Sequence, residues 1–285
     1  WASDYPHPDH TGDYLQAPQV PDRCSGPVQA AIRRGGLGPA CCSVKRAFDF
    51  TIALAGLIVV SPLLLAVAIV IWLQDFRSPF YIAPRAARGG GAFNMVKFRS
   101  MVVDADRTGV CSTSGDDRRI TPVGRFVRAY KIDELIQLWN VLKGDMSLVG
   151  PRPQVLTDAS MYTEQEKRML SVRPGITDPA SIVFADEGDI LHGSADPDLL
   201  YNQIIRPWKS RLALLYVDKR SFLIDFWLIL LTATALVSRS TALKAIQRLL
   251  QRWGADPLLL RVAGREHPLL AYPPPGATEI FAQYR

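Results

Sequence analysis

The sequence has little of the side-chain chemistry from which zinc sites and disulfide frameworks are built. Its 285 residues include four cysteines and four histidines. No two cysteines have C-x-x-C spacing, and the histidines do not fall close to them. We therefore expect neither a zinc site nor a disulfide framework. The residues concerned are Cys24, Cys41, Cys42, Cys111, His7, His10, His192 and His267.

The glycine motifs that cradle nucleotides are missing as well. The chain has no G-x-G-x-x-G pattern, and its Gly89-Gly90-Gly91 run lacks the lysine-serine ending of a Walker loop. We interpret this run as a turn, which argues against the common nucleotide-binding folds. No apolar run heads the chain, since the first begins at Thr51, so no signal peptide is expected.

Charge, by contrast, is plentiful and uneven in sign. The net charge is +6 and the pI is about 9.2, which suits an anionic partner such as nucleic acid, phospholipid head groups or a phosphorylated substrate. An apolar content of 48% is enough for one domain with a sizeable core plus appendages. Residues 1–40 mix turn-forming residues without periodicity, which predicts a flexible N-terminal tail.

Residues 41–80 form the predicted membrane segment. From Thr51 to Leu73 there are 23 residues without a charge, long enough at about 1.5 Å per residue to span hydrocarbon. Ser61-Pro62 falls near the middle, where proline removes a backbone donor and should kink the helix. Basic residues flank both ends, so a kinked span and a re-entrant hairpin that enters and leaves by one face both remain open.

Residues 81–237 form the predicted catalytic domain. Ala92 to Phe98 alternates loosely and predicts a strand, whereas Asp133 to Leu142 and Glu164 to Val172 predict helices. Leu223 to Val237 is too short to span a membrane and is expected to lie along the interface or pack on the core. Residues 238–285 form a C-terminal extension, with an amphipathic basic helix followed, from Pro257, by a loosely held tail.

The strongest chemical signal is the carboxylate pair Asp133 and Glu134, which opens a predicted helix. Capping of that helix is the ordinary explanation for an aspartate in this place. Several nearby cations favour a binding site for phosphate instead, and Arg152 stands out because Pro151 and Pro153 fix the backbone on either side of it. These cations are Lys97, Arg99, Arg118, Arg119, Arg128 and Arg152. The acidic run from Asp186 to Asp189 lacks EF-hand spacing, and we interpret it as an exposed turn outside the site.

Five runs together carry a resemblance to a known family. They are Lys97-Phe-Arg-Ser-Met101, Asp117-Arg-Arg-Ile-Thr-Pro-Val-Gly124, the stretch from Ile132-Asp-Glu-Leu to Gly-Pro-Arg-Pro153, Arg173-Pro-Gly-Ile-Thr177 and Tyr216-Val-Asp218. On these runs the chain resembles the bacterial sugar transferases, or monotopic phosphoglycosyl transferases, from about Lys45 to Val237.

The resemblance implies a fold and a place in the cell. The fold is α+β and mainly helical, with a re-entrant membrane helix broken at Ser61 and Pro62 and a compact catalytic domain on the cytosolic face of the bacterial inner membrane. The resemblance further implies a small, core-only member. A homodimer is included among the expected partners.

The resemblance also implies a ping-pong transfer of a sugar 1-phosphate from a UDP-sugar to polyprenyl phosphate. Asp133 would be the nucleophile and Glu134 a ligand of Mg²⁺. An aspartate that opens a helix is expected to stay ionised. Substrate phosphates would be bound by Lys97, Arg99, Arg128 and Arg152, with Pro151, Pro153, Arg119 and Thr121 in supporting positions.

The sequence departs from the family pattern in two places that bear on function. Ile136 stands where the family has proline. Asp178-Pro-Ala-Ser181 replaces the family's Gly-x-Ala-Gln, so the identity of the transferred sugar is not determined. Two other classes of function were weighed. One is a non-catalytic membrane-surface protein that grips anionic lipid or regulates polysaccharide export. The other, nucleic-acid binding, is not expected because aromatic residues do not interleave with the basic ones.

Overall fold

The computed structural model describes residues 39–283, so the predicted tail over residues 1–40 lies almost entirely outside the described residues. The described chain is mainly helical, with two small two-stranded sheets. Strands are β1 (Phe80–Ala86), β2 (Ala92–Phe98), β3 (Ser147–Val149) and β4 (Gly175–Thr177). The α-helices are α1 (Pro39–Asp75), α2 (Pro122–Ala129), α3 (Ile132–Leu135), α4 (Leu138–Lys143), α5 (Leu156–Ser160), α6 (Pro179–Val183), α7 (Glu187–Ile190), α8 (Pro197–Leu200), α9 (Arg206–Lys219), α10 (Phe222–Val237), α11 (Arg239–Arg252) and α12 (Pro257–Gly264).

Helix α1 continues through Pro62 rather than ending there. Proline has no N–H, so the carbonyl four residues earlier, at Ile58, loses its usual helical donor. The Ser61 hydroxyl donates to that carbonyl at 2.8 Å and restores the missing hydrogen bond. The chain is therefore one helix at the predicted break, and its course in a bilayer stays a prediction.

One face of α1 packs on the rest of the protein near both of its ends. Near the N-terminal end, Arg46 donates to the carbonyls of Val141 and Leu142 at the end of α4, at 2.6 and 2.8 Å. Near the C-terminal end, Leu64, Val67 and Ile71 form a buried cluster with residues of β2, α2 and α3. The helix therefore lies along the segments from β2 to α4 over most of its length.

The opposite face of α1 is apolar and exposed. Its most apolar window has a mean hydropathy of 2.9, and only 11% of that window is buried. Exposed side chains of this size and number favour a lipid environment over water. The helix is long and apolar enough to cross a membrane. These properties associate the chain with a membrane. The most exposed side chains are Ile58, Val59, Leu65 and Phe76.

The two sheets contain parts of the runs on which the family resemblance rests. Strands β1 and β2 pair antiparallel, with Phe80 opposite Phe98, and the predicted strand at Ala92–Phe98 is confirmed. Strands β3 and β4 are parallel. Gly150, directly after β3, and Gly175, the first residue of β4, pass so closely that a Cβ on Gly175 would lie 2.1 Å from the Gly150 nitrogen. Only glycine fits this crossing, which sets the direction of the Pro151-Arg152-Pro153 segment.

The predicted helices are present with altered boundaries. The helix predicted from Asp133 to Leu142 is divided into α3 and α4, and the one predicted from Glu164 to Val172 is a 3₁₀ helix over Glu166–Ser171. Helix α10 packs on the core as expected, because Asp225, the acid within this apolar stretch, is buried and bonded to Lys45 and to the Tyr216 hydroxyl.

The prediction of a loosely held tail from Pro257 is wrong. Helix α12 buries Leu259 and Ala263 in the main core. Beyond it the extended segment packs across α9, where the Tyr272 ring lies 4.5 Å from the Trp208 ring. Arg211 also donates to the carbonyl of Pro273 at 2.9 Å. These contacts have no sequence periodicity, which is why the composition alone indicated a free end.

Gly124 should be the least replaceable residue of α2. A Cβ at this position would lie 1.8 Å from the Ser100 carbonyl oxygen, and that backbone belongs to the segment leading out of β2. We expect Gly124→Ala to destabilise the fold by roughly 3 kcal/mol and to lower the melting temperature by roughly 6–12 °C. Thermal unfolding in detergent measures the effect. Gly91→Ala is the matched control, because no heavy atom lies within 4 Å of its Cβ position; an equal loss in both variants would contradict the close-approach argument.

Candidate active site

The carboxylate pair and most of the predicted cations open onto one cavity. Its volume is about 1360 Å³, and it is open on one side. The wall combines the β-hairpin, the start of α3, the segment after β3 and one face of α10. Of the residues predicted to bind substrate or to react, Lys97, Arg99, Arg128, Asp133, Glu134 and Arg152 all line it.

Asp133 is held at the second position of α3 by a sharp turn at Lys131, whose φ is 56°. The Asp133 residue is only 6% exposed, and its neighbour Ile132 packs into the cluster under α1. Among the described residues no side chain or amide donates a hydrogen bond to the Asp133 carboxylate. Its oxygens are therefore neither capping the helix nor tied to a partner.

The pKa of Asp133 is raised above its ordinary value. Burial is the main cause, while the positive charges of Lys97 and Arg128 act in the opposite direction and Glu134 adds to the rise. The helix start predicted that Asp133 stays ionised, and this stays a prediction. The pKa shift opposes the effect expected of a helix start, because α3 has only four residues and removal of water outweighs its weak dipole.

Glu134 differs sharply from its neighbour. Both of its carboxylate oxygens accept hydrogen bonds from the Arg152 guanidinium, one of them at 3.1 Å, and Lys97 Nζ lies 3.8 Å from one oxygen. Burial by itself raises the pKa of Glu134, but Arg152 and then Lys97 overcome it and leave the pKa well below its usual range. Two adjacent carboxylates thus have opposite environments, one without a hydrogen-bond partner and one paired with Arg152.

Lys97 projects from β2 toward both carboxylates. Burial lowers the pKa of its ammonium group to about 8, although Glu134 acts to raise it. Arg152, fixed between two prolines, completes the group and keeps its charge because Glu134 raises its pKa. The result is a pair of cations beside the Asp133 carboxylate in a site largely closed to water.

The other predicted residues each contact another group of the protein. Arg128, in the last turn of α2, faces the cavity and lies 3.5 Å from the Ser100 hydroxyl. Arg99 forms a two-point ion pair with Asp75 at the end of α1. Arg119 pairs with Asp117. Thr121 caps α2 by accepting from the amide of Gly124 at 2.9 Å. The roles assigned to these four residues stay predictions.

The structure adds two charged residues that the sequence interpretation missed. Glu187, assigned to an exposed turn, begins α7, lines the cavity and forms an ion pair with Lys209 of α9. Lys209 Nζ also lies 5.3 Å from the centre of the Tyr201 ring. The sequence feature that could have indicated this ion pair is Lys209 itself. It directly follows Trp208 at the buried start of α9, where a lysine needs an acidic partner. Exclusion of Glu187 from the cavity was therefore wrong.

The described residues hold no group of three or more histidine, cysteine or acidic side chains that could bind a metal by themselves. Two adjacent carboxylates are nevertheless a fitting partial set for Mg²⁺, which is commonly bound by one or two carboxylates together with substrate phosphates and water. Asp133 has free oxygens, whereas both oxygens of Glu134 are already occupied by Arg152. The donor set fits a Mg²⁺ that brings most of its ligands with a diphosphate.

A buried, unpartnered carboxylate among fixed cations, beneath an apolar helix, defines a membrane-associated enzyme that acts on phosphate groups. The family model described as bacterial sugar transferase matches residues 41–239. The chain belongs to the bacterial sugar transferase family.

Curated relatives match over different shares of their length. A putative undecaprenyl-phosphate N-acetylgalactosaminyl 1-phosphate transferase of Bacillus subtilis is 42% identical over 135 residues, covering 47% of this chain and 72% of that protein. The UDP-N-acetylgalactosamine-undecaprenyl-phosphate N-acetylgalactosaminephosphotransferase of Aeromonas hydrophila is 33% identical over 201 residues, 69% of this chain but 45% of its own. The uncharacterized sugar transferase EpsL of Bacillus subtilis is 37% identical over 189 residues, 66% of this chain and 85% of its own.

Proposed function

We propose that this enzyme transfers a sugar 1-phosphate from a UDP-sugar to undecaprenyl phosphate through a covalent intermediate on Asp133. The observation that carries the proposal is the contrast within the carboxylate pair. Asp133 is buried, bound to nothing and next to two cations, while Glu134 is neutralised by Arg152. A carboxylate without partners is available as a nucleophile, and the cations neutralise the diphosphate that it would attack.

In the first half-reaction an Asp133 oxygen attacks the phosphorus that bears the sugar. A P–O bond forms to the carboxylate, the bond from that phosphorus to the bridging oxygen breaks, and the bridging oxygen leaves with UMP. Arg152 and Lys97 stabilise the phosphate oxygens during this step. No proton has to move, because a carboxylate replaces a phosphate as the group bound to phosphorus.

In the second half-reaction an oxygen of undecaprenyl phosphate attacks the same phosphorus. The bond to Asp133 breaks, the free carboxylate returns, and the product is a lipid-linked diphosphosugar. A carboxyl phosphate anhydride is reactive enough for this transfer. Water would destroy it, which gives a reason for the low exposure of Asp133.

Mg²⁺ is proposed as the cofactor, with Asp133 or Glu134 as its protein ligand. When bound, it would neutralise the diphosphate and its leaving oxygen. Glu134 can bind the ion only if Arg152 gives up its hydrogen bond to one of the Glu134 oxygens, since Arg152 contacts both of them.

We infer that α1 enters and leaves the membrane by the same face. Support comes from its packing, since Arg46 near one end and Ile71 near the other contact the same catalytic body. A helix that crossed the bilayer would carry one end away from that body. The catalytic domain is then placed on the cytosolic face of the bacterial inner membrane, where UDP-sugars occur. The homodimer stays a prediction.

The donor and pathway are inferred from relatives. The relatives include N-acetylgalactosamine, glucose and galactose phosphotransferases and one exopolysaccharide production protein. These similarities support a hexose donor, which one relative's name gives as a UDP-sugar, and a part in exopolysaccharide synthesis. A part in lipopolysaccharide synthesis stays a prediction. A choice among sugars is left to experiment.

A covalent adduct is the decisive test. Purified protein in nanodiscs is mixed with Mg²⁺ and each of a panel of UDP-sugars, quenched, and analysed by peptide mass spectrometry with UMP release in parallel. We expect a sugar-phosphate adduct on the peptide containing Asp133, cleared by undecaprenyl phosphate. If folded protein yields neither adduct nor UMP with any donor, the function is non-catalytic.

The pH dependence of kcat/KM should be bell-shaped. Asp133 must be ionised to attack, so the rate rises as pH increases through its raised pKa. Lys97 must be protonated to neutralise phosphate, so the rate falls as pH increases through about 8. Lys97→Arg should keep the charge and move the alkaline limb upward by more than one pH unit. Lys143→Arg, at an exposed ion pair, should leave the profile unchanged; an unmoved alkaline limb in Lys97→Arg would assign that limb to another group.

A further inference from the structure

Helix α10 presents three different faces. Leu228 and Leu231 are buried in the main core. A second set is bulky and exposed, on the side away from the body: Leu223, Phe226, Trp227, Leu230 and Val237. A third set lines the cavity that contains Asp133: Ile229, Thr232, Ala233 and Leu236. Their spacing of three, four and seven residues places them on one stripe of the helix.

The stripe is apolar in effect, although it includes a threonine. The Thr232 hydroxyl donates to the carbonyl of Leu228 at 2.7 Å and lies 2.7 Å from the Thr177 hydroxyl, so its polar atom is already engaged. Asp225, four residues before Ile229, lies on the same face of the helix, but it is buried, bonded to Lys45 and Tyr216, and outside the cavity lining. Ala233, at the centre of the stripe, leaves open space beside the helix.

The same cavity is strongly cationic elsewhere. Lys97, Arg128 and Arg152 line it, and Asp133 lies among them. One continuous space therefore joins a cationic region to an apolar stripe, and the stripe is adjacent to the exposed apolar side of its own helix. A ligand that fits both regions has an anionic head and a hydrocarbon chain.

We propose that the stripe Ile229, Ala233 and Leu236 binds the first isoprene units of the prenyl phosphate acceptor. The inference rests on the proposed function and names the acceptor subsite within it. The nucleotide sugar is a poorer occupant of this stripe, because its hydroxyl groups and base would lose water without gaining hydrogen bonds. A prenyl chain can reach the stripe from the bilayer along α10 without leaving an apolar environment.

The test separates the two half-reactions. Ala233→Trp fills the stripe and should raise the KM for undecaprenyl phosphate by roughly 10–100-fold, the range over which apolar pockets discriminate. The loss should be confined to the second half-reaction, which is read as clearance of the preformed adduct. Ala233→Leu should give a smaller loss and serves if the tryptophan variant does not fold, as judged by its melting temperature.

The matched control is Leu230→Trp, which places a tryptophan on the exposed side of the same helix, outside the cavity lining. It should transfer to undecaprenyl phosphate at the wild-type rate. Unchanged clearance in Ala233→Trp would overturn the proposal, and so would an equal loss of adduct formation and clearance, which would assign the stripe to the donor. Absence of any adduct in the wild-type protein is a different result, because it refutes the proposed function itself and not only the acceptor site on α10.

Discussion

Asp133→Asn is expected to abolish turnover, with a loss of roughly 10⁴-fold or more in UMP release and no detectable adduct. An amide has the shape of the carboxylate but cannot form the bond to phosphorus, and removal of a nucleophile typically costs this much. The Asp133 carboxylate accepts no hydrogen bond among the described residues, so the amide should fit without breaking one. The folded structure should therefore survive, and the melting temperature should stay within a few degrees of wild type.

The control for this substitution is Asp116→Asn, at an exposed acid outside the cavity lining. It should leave the rate within about twofold, as surface changes usually do. Persistent UMP release in Asp133→Asn, with the adduct moved to another peptide, would make that other residue the nucleophile. Loss of activity accompanied by unfolding would instead show that the buried charge is structural.

Arg152→Met is expected to lower kcat/KM by roughly 10²- to 10³-fold. The Arg152 guanidinium lines the cavity and bonds to both oxygens of Glu134, and loss of one preorganised donor beside a reacting group typically costs about 10²- to 10³-fold in rate. Arg152→Lys should recover only part of the loss, because a lysine cannot bond to both oxygens at once. Rates measured over a range of donor concentrations assign the effect to KM or to kcat.

A double-variant cycle tests whether Arg152 acts through Glu134. If it does, Glu134→Gln combined with Arg152→Met should cost less than the product of the two single losses, since the second change removes an interaction already gone. Arg168→Met is the control, because Arg168 pairs with Asp218 at a more exposed position outside the cavity lining. Strictly multiplicative losses at Arg152 and Glu134 would show that Arg152 contacts substrate independently.

Lys97, Asp133, Glu134 and Arg152 were selected partly by residue type and partly by the family resemblance, and all four line one cavity. Their roles stay predictions. The alternation that predicted β2 is a local property. What could not be predicted is the pairing among these groups, since the same sequence fits several arrangements of the same charges.

Tertiary contacts account for the errors. The direction of the Asp133 pKa depends on burial, which a helix start does not reveal. The phosphate-binding role of Arg99 stays a prediction, although no sequence pattern indicated that its guanidinium pairs with Asp75 at the end of α1. Glu187 had no indication of burial until Lys209 was brought to it from another helix. The C-terminal segment is held by carbonyl groups and aromatic rings, which leave no periodic pattern.

The packing of α1 bears on how this enzyme can be prepared. Ile132, directly before Asp133, lies in one hydrophobic cluster with Leu64, Val67 and Ile71 of the membrane helix. Deleting the helix to obtain a soluble fragment would remove the support beneath the proposed nucleophile and leave that cluster open to water. We therefore expect detergent or lipid to be needed to keep this site intact, and inhibitor screens on a truncated domain to sample a different arrangement.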